Sequence, residues 1–157
     1  MSPIDFGKLN SKPMSGVKRP PAAPASTYYG TIKAFKFAET RFDNKETQTK
    51  DGALVLEISP TEYADPSVEL PPGYSLRGKT FFHETAIIDS HENALPGQYY
   101  TKVLMESLGI PTEGRSFGEC VPDLVGAQVM FDLTARADKN NPEVVYNDVR
   151  KLRARMA

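Results

Sequence analysis

VGAQVMFDLTARADKNNPEVVYNDVRKL, residues 125–152, carries the clearest strand-pairing signal in the chain. Val129, Phe131 and Leu133 alternate onto one face, Asn140, Asn141 and Pro142 supply a turn, and 145–149 returns as a second strand. Further upstream, YYGTIKAFKFAET at 28–40 alternates as a strand, and ALVLEIS at 53–59 sets Leu54, Leu56 and Ile58 on one face. The polar stretch 41–52 between them reads as a long mobile loop. Residues 60–73 contain four prolines, so they read as an insertion and not a strand. LRGKTFFHETAIID at 76–89 is again rich in β-formers. One helix follows: Asn93 is the expected N-cap, Pro96 suits the first turn, Tyr100, Val103, Leu104 and Leu108 recur at helical spacing, and Gly109 and Pro111 stop the run.

The order is three strands, a helix and two strands. It predicts a mainly β fold, a five-stranded Greek-key OB-like barrel with one α-helix between strands 3 and 4. Residues 1–27, with Pro20, Pro21 and Pro24 and almost nothing to bury, read as a flexible basic arm ahead of a single domain over 28–157.

Composition narrows the function classes. The chain has 157 residues, 39% of them hydrophobic, with 19 Lys plus Arg against 20 Asp plus Glu, as in one ordinary soluble domain. No apolar run reaches the roughly 18 residues of a membrane span, and the start lacks a secretory signal, so no membrane partner and a cytoplasmic location are expected. One cysteine, Cys120, and two histidines, His83 and His91, exclude an intramolecular disulfide and the usual zinc-finger ligand sets. The net charge of −1 hides a division: residues 1–27 sum to +3, residues 150–157 to +4, and the body between them to −8. Basic ends are suited to phosphate contacts.

Four stretches, YYGTIKAFKF, KDGALVLEIS, YYTKVLMESLGIP and LVGAQVMFDLTARADKNNPEVVYNDVRKL, together resemble the phage-type single-stranded DNA-binding proteins, an OB-fold group of bacteriophage replication modules. The closing hairpin resembles the family's most strongly, through Leu124, Gly126 and Val129 in one strand and Tyr146, Asn147 and Val149 in the next. The resemblance covers residues 28–152. It implies a protein that coats single-stranded DNA during phage-type replication or recombination, in the cytoplasm of an infected bacterium, with replication or recombination proteins as further partners. The chain departs from the pattern in the 60–73 insertion and in ending on RKLRARMA, where many single-stranded DNA-binding proteins carry an acidic tail.

Sequence-tolerant binding of single strands needs cations along a groove and aromatic faces for the bases. Lys33, Phe35 and Phe37 share one parity of the first strand. With Ile32 facing the core, both phenylalanines face outward beside Lys33; a bulge within the strand would turn them inward instead. The first loop adds Arg41, Phe42, Lys45 and Lys50, interleaved with Asp43, Glu46 and Asp51. Arg77, Lys79 and Phe81 form a basic and aromatic stripe in the third strand, and Arg136 and Lys139 flank the last turn. Tyr146 reads as a half-buried strand tyrosine.

Catalysis finds little support. The chain has no Gly-rich phosphate loop, no G-x-S-x-G and no H-E-x-x-H, and His83, Glu84, Asp89 and His91 match no standard metal-ligand spacing. The reading is therefore non-enzymatic, without cofactor or metal. Its rivals are an OB-type protein-interaction or structural module, favoured by the acidic body, and an RNA-binding OB protein.

Overall fold

β1 (Ser26–Asp43), 18 residues long, is the spine of the molecule. The computed structural model describes residues 7, 14–16, 22–63, 76, 78–141 and 144–155. It is mainly β: β1, β2 (Lys50–Tyr63), β3 (Phe81–Ile88), β4 (Gln128–Ala137) and β5 (Val145–Ala154) form one antiparallel sheet in the order β3-β2-β1-β4-β5. The sheet curls into a half-barrel that brings its edge strands, β3 and β5, close to one another.

The curl originates in β1. It pairs with β4 only from Ser26 to Thr31, but with β2 from Tyr28 to Asp43, and its register with β2 shifts at 29/30, 32/34 and 39/43. Each irregularity bends the strand and raises its twist. Gly30 sits at the tightest point, where a Cβ would lie 2.8 Å from Ile58 Cγ2, 3.0 Å from Ser59 O and 3.1 Å from Phe131 Cε1.

Side chains from the inner face close the core. Tyr28 and Phe131 stack at 6.2 Å, and Phe81 packs its ring at 6.0 Å from Phe131. Ile32, Leu54, Ile58, Val129 and Leu133 complete the strand contribution. The buried Tyr28 keeps its hydroxyl satisfied by donating to Pro24 O at 2.7 Å. α1 (Pro96–Ser107) covers β3 and β5 with Thr101, Leu104 and Met105 buried. A shorter helix, α2 (Phe117–Cys120), is capped by Ser116 Oγ accepting from Glu119 N, and the 3-10 turn Val121–Leu124 buries Val121 and Leu124.

Several boundaries differ from the sequence reading. The predicted loop 41–52 is strand at both ends, 41–43 and 50–52: Asp43 faces Lys50, and the tip is held by Asn44, whose backbone and side chain bond to Gln48, Thr49, Glu46 and Asp51. β2 runs through Pro60 to Tyr63, where proline is accommodated opposite Gly30 beside a register shift; residues 64–73 of the predicted insertion lie outside the described residues. Asn93 does not cap α1. It is taken up in a turn around Asp89, whose carboxylate accepts from the backbone N–H of His91 and Asn93, and Leu95 occupies the N-cap position without a side-chain bond. At the start, Ser26 and Thr27 already belong to β1, and Ala23 is buried with both its N–H and its C=O bonded to the Asn147 side chain at 2.9 Å. Residues 1–21 of the predicted arm lie outside the described residues, save Gly7 and Met14–Gly16. Among the described residues no helix is long and apolar enough to cross a membrane.

Gly97 is where α1 meets β3: a Cβ there would collide with Ala86 O and lie 2.5 Å from Thr85 Cγ2. In an ordinary helix, Gly→Ala adds up to about 1 kcal/mol of stability. Here Gly97→Ala should instead destabilise by ~1–3 kcal/mol, the range for overpacking, because backbone has to move. Chemical denaturation of the variant beside the parent measures the sign.

Candidate nucleic-acid interface

Beyond Thr31, β1 leaves β4 and has only β2 alongside, so 33–43 and 50–57 form a ribbon that is backed by β3 along 52–57, where Leu54 and Leu56 belong to the core, and is two-stranded only toward its tip. The predicted residues of the first strand and first loop all lie on it.

The bulge opposite Glu57 and Ile58 separates Lys33 from the phenylalanines. Ile32 pairs with Ile58, then Ala34 with Glu57 and Phe35 with Leu56, leaving Lys33 without a partner across the ladder. Partners in an antiparallel pair share a face, so Phe35 and Phe37 stand on the inner face with Leu56 and Leu54. The outward platform with Lys33 is not formed. Phe35 is half-buried against the core, whereas Phe37, at the next inner position, is 54% exposed, and the two rings meet edge-on at 5.9 Å. Lys33 is exposed and donates to Thr80 Oγ1 at 2.6 Å.

Phe42, near the end of the ribbon, is 77% exposed. The backbone beneath it is fixed by Thr40, whose hydroxyl donates to Phe42 O at 2.9 Å and accepts from Asp51 N at 3.0 Å. Arg41, Lys45 and Lys50 are exposed, as is Lys36, which the sequence reading passed over. None of these four forms an ion pair among the described residues. The ribbon thus carries four exposed cations without ion pairs among the described residues and two accessible aromatic rings, with Lys36 on the opposite face of β1 from Phe37.

The other predicted residues divide differently. Phe81 is a core aromatic, packed between Tyr28 and Phe131, and the neighbouring Phe82 is the exposed one. Arg77 lies outside the described residues, and Lys79 is half-buried just ahead of β3. Arg136 is engaged within its own hairpin: its Nε donates to Asp148 Oδ2 at 3.1 Å and its guanidinium lies 5.3 Å from the Tyr146 ring. Lys139 is exposed at the tip, where the backbone N–H of Asn140, first, and the Tyr146 hydroxyl hold the Asp138 carboxyl below its ordinary value. Tyr146 is half-buried.

A second concavity opens between β3, α1 and β5. His83 lines it next to Leu56, with its Nδ1 3.2 Å from the Thr85 hydroxyl. Burial, and then the nearby charge of Arg150, push its pKa below the ordinary 6.5. Among the described residues no three of His, Cys, Asp and Glu gather as metal ligands would. The exposed rings of Phe82, Tyr99 and Tyr100 were missed by the sequence reading. The signal was present for Phe82, since of two consecutive phenylalanines in a strand only one can face the core.

The chain matches no protein-family model and no curated protein.

Two outcomes are expected from this geometry. Phe35→Ala should cost about 1–3 kcal/mol of folding stability, less than the ~3–5 of a fully buried phenylalanine, while Phe37→Ala should melt close to the parent. Paired denaturation curves compare them. The lowered His83 pKa means that the unfolded chain binds the proton more readily. Stability contributed by neutral His83 is therefore complete above pH 6.5 and lost as pH falls through that value toward the lower folded-state pKa. His83→Gln should flatten that part of the stability profile, read by denaturation at a series of pH values.

Proposed function

We propose that the protein is an OB-like barrel that binds and protects single-stranded DNA, without strong sequence preference, in phage-type replication or recombination. The reading rests above all on one observation: the β1–β2 ribbon carries Lys36, Arg41, Lys45 and Lys50, exposed and without an ion pair among the described residues, together with the exposed rings of Phe37 and Phe42. Cations that are not spent on internal ion pairs release counterions when they meet phosphate, and exposed rings accept bases of any identity. The sheet order, with edge strands curling together and α1 between β3 and β4 along the chain, supports a five-stranded OB-like barrel whose first hairpin reaches out over its ligand. Nothing in this arrangement calls for a reaction.

Fluorescence titration with oligo(dT) at several salt concentrations tests the proposal. Four phosphate contacts from the ribbon predict a slope of log affinity on log salt of about −2.8, at roughly −0.7 per contact on a single strand. A duplex of equal length should bind more weakly. Absence of binding at low salt would overturn the reading, and tighter binding of an RNA oligomer would move it to RNA.

A further inference from the structure

The edge strands β3 and β5 approach without joining in the sheet, and together with α1 they bound a groove of about 740 Å³. That volume lies within the ~300–1,000 Å³ of small-ligand sites. Leu56, Leu104 and the half-buried His83 form its floor. Exposed side chains form its rim, Phe82 and Tyr100 from β3 and α1, Arg150 and Lys151 from β5.

Three features of this rim point to one ligand chemistry. The first is how β5 uses its bases. Arg153 pairs with Asp132 at 3.2 Å and Arg155 with Glu62 at 2.8 Å, but Arg150 and Lys151, which line the groove, have no ion pair among the described residues. Of the acids lining the groove, Asp148 is matched by Arg136 at 3.1 Å, and Glu84 alone has no such match among the described residues.

The second feature is backbone strain. Lys151 has φ 51°, the left-handed region that glycine enters freely and lysine does not. It occupies a bulge, because Arg150 pairs with Asp132 and Arg153 with Met130, leaving one extra residue on β5. Bulges of this kind re-aim a side chain, and a strained residue kept beside a groove is a pointer to use. The third feature is aromatic: Phe82 is 55% and Tyr100 66% exposed, although both rings are large and apolar.

We propose that the groove between β3, α1 and β5 takes a nucleotide of a bound single strand, with the base against Tyr100 and Phe82 and its phosphate at Arg150 and Lys151. This rests on the DNA-binding reading and extends it from the ribbon to the seam of the half-barrel.

The test uses the full chain. Lys151→Gly removes the charge and relieves the backbone strain, so its melting temperature should equal or exceed that of the parent while its salt slope falls by about 0.7. Tyr100→Ala should melt like the parent and bind oligo(dT) about 5- to 150-fold more weakly, the loss of one stacked base. An oligo(dT) carrying 5-iodouracil, irradiated in complex with the parent, should form adducts that peptide mass spectrometry places on Tyr100 or Phe82. If both variants bind as the parent does and adducts are confined to Phe37 and Phe42, the groove proposal is overturned and the ribbon reading stands. Failure of the parent itself to bind oligo(dT) would overturn both.

Discussion

Ile32 marks the point at which β1 changes company. Its N–H donates to Ala127 O at 3.0 Å and its C=O accepts from Gly126 N at 2.7 Å, the last bonds that hold β1 to the segment leading into β4. Before this residue β1 is a central strand; after it, only β2 remains alongside. The neighbouring Gly30 admits Ile58 and Phe131 so closely that the strand can bend over the core at this point. From that bend follow the curl of the sheet, the parting of β1 from β4 and the approach of β3 to β5. A straight β1 would give a flatter sheet with distant edges and no groove between them.

The period-2 pattern was readable wherever a strand buries one face without interruption. Leu54, Leu56 and Ile58 lie inward, as do Val129, Phe131 and Leu133. Phe35 and Phe37 were not readable, because the single residue inserted at Lys33 flips every side chain after it. Phe81 was assigned by counting from Arg77 and Lys79 on the assumption that those charges set the outer face; packing against Tyr28 and Phe131 assigns it inward. The ribbon tip looked like a loop because composition reports side chains, whereas pairing there uses backbone groups organised by Thr40 and Asn44. Pro60 likewise argued against a strand, but at a register shift its missing N–H is tolerated. The exposed rings on α1, Tyr99 and Tyr100, fell within a helical pattern that the sequence analysis used only for core positions.

Net charge says little about this molecule, and the pairing of individual charges says more. On β4, on β5 and just past its end, Arg136, Arg153 and Arg155 are matched by Asp148, Asp132 and Glu62, so part of the basic C-terminal run is spent on holding strands together. Asp132 also accepts from the Thr27 hydroxyl at 2.8 Å, which ties β1, β4 and β5 at one point. Among the described residues, bases without an ion pair include Lys36, Arg41, Lys45 and Lys50 on the ribbon, Arg150 and Lys151 at the seam and Lys139 at the tip of the last hairpin. An acidic body and local cationic surfaces are compatible once the internal pairs are taken out.

The bond between Thr27 and Asp132 joins residues 105 apart in sequence, and the β1–β4 ladder around it is equally non-local. Closures of this span form late, since the entropy of bringing the ends together is lost before the contacts repay it. A chain synthesised from its N-terminus can pair β1, β2 and β3 while β4 does not yet exist. During that interval Tyr28, Ile32 and Ile58 have no Phe131 or Val129 to pack against, and the sheet emerges from the ribosome with its apolar face bare. At ~5–20 residues per second, making residues 89–133 takes roughly 2–9 s. The bend in β1 that shapes the finished molecule therefore also sets a window in which the nascent chain is most open to association with its neighbours.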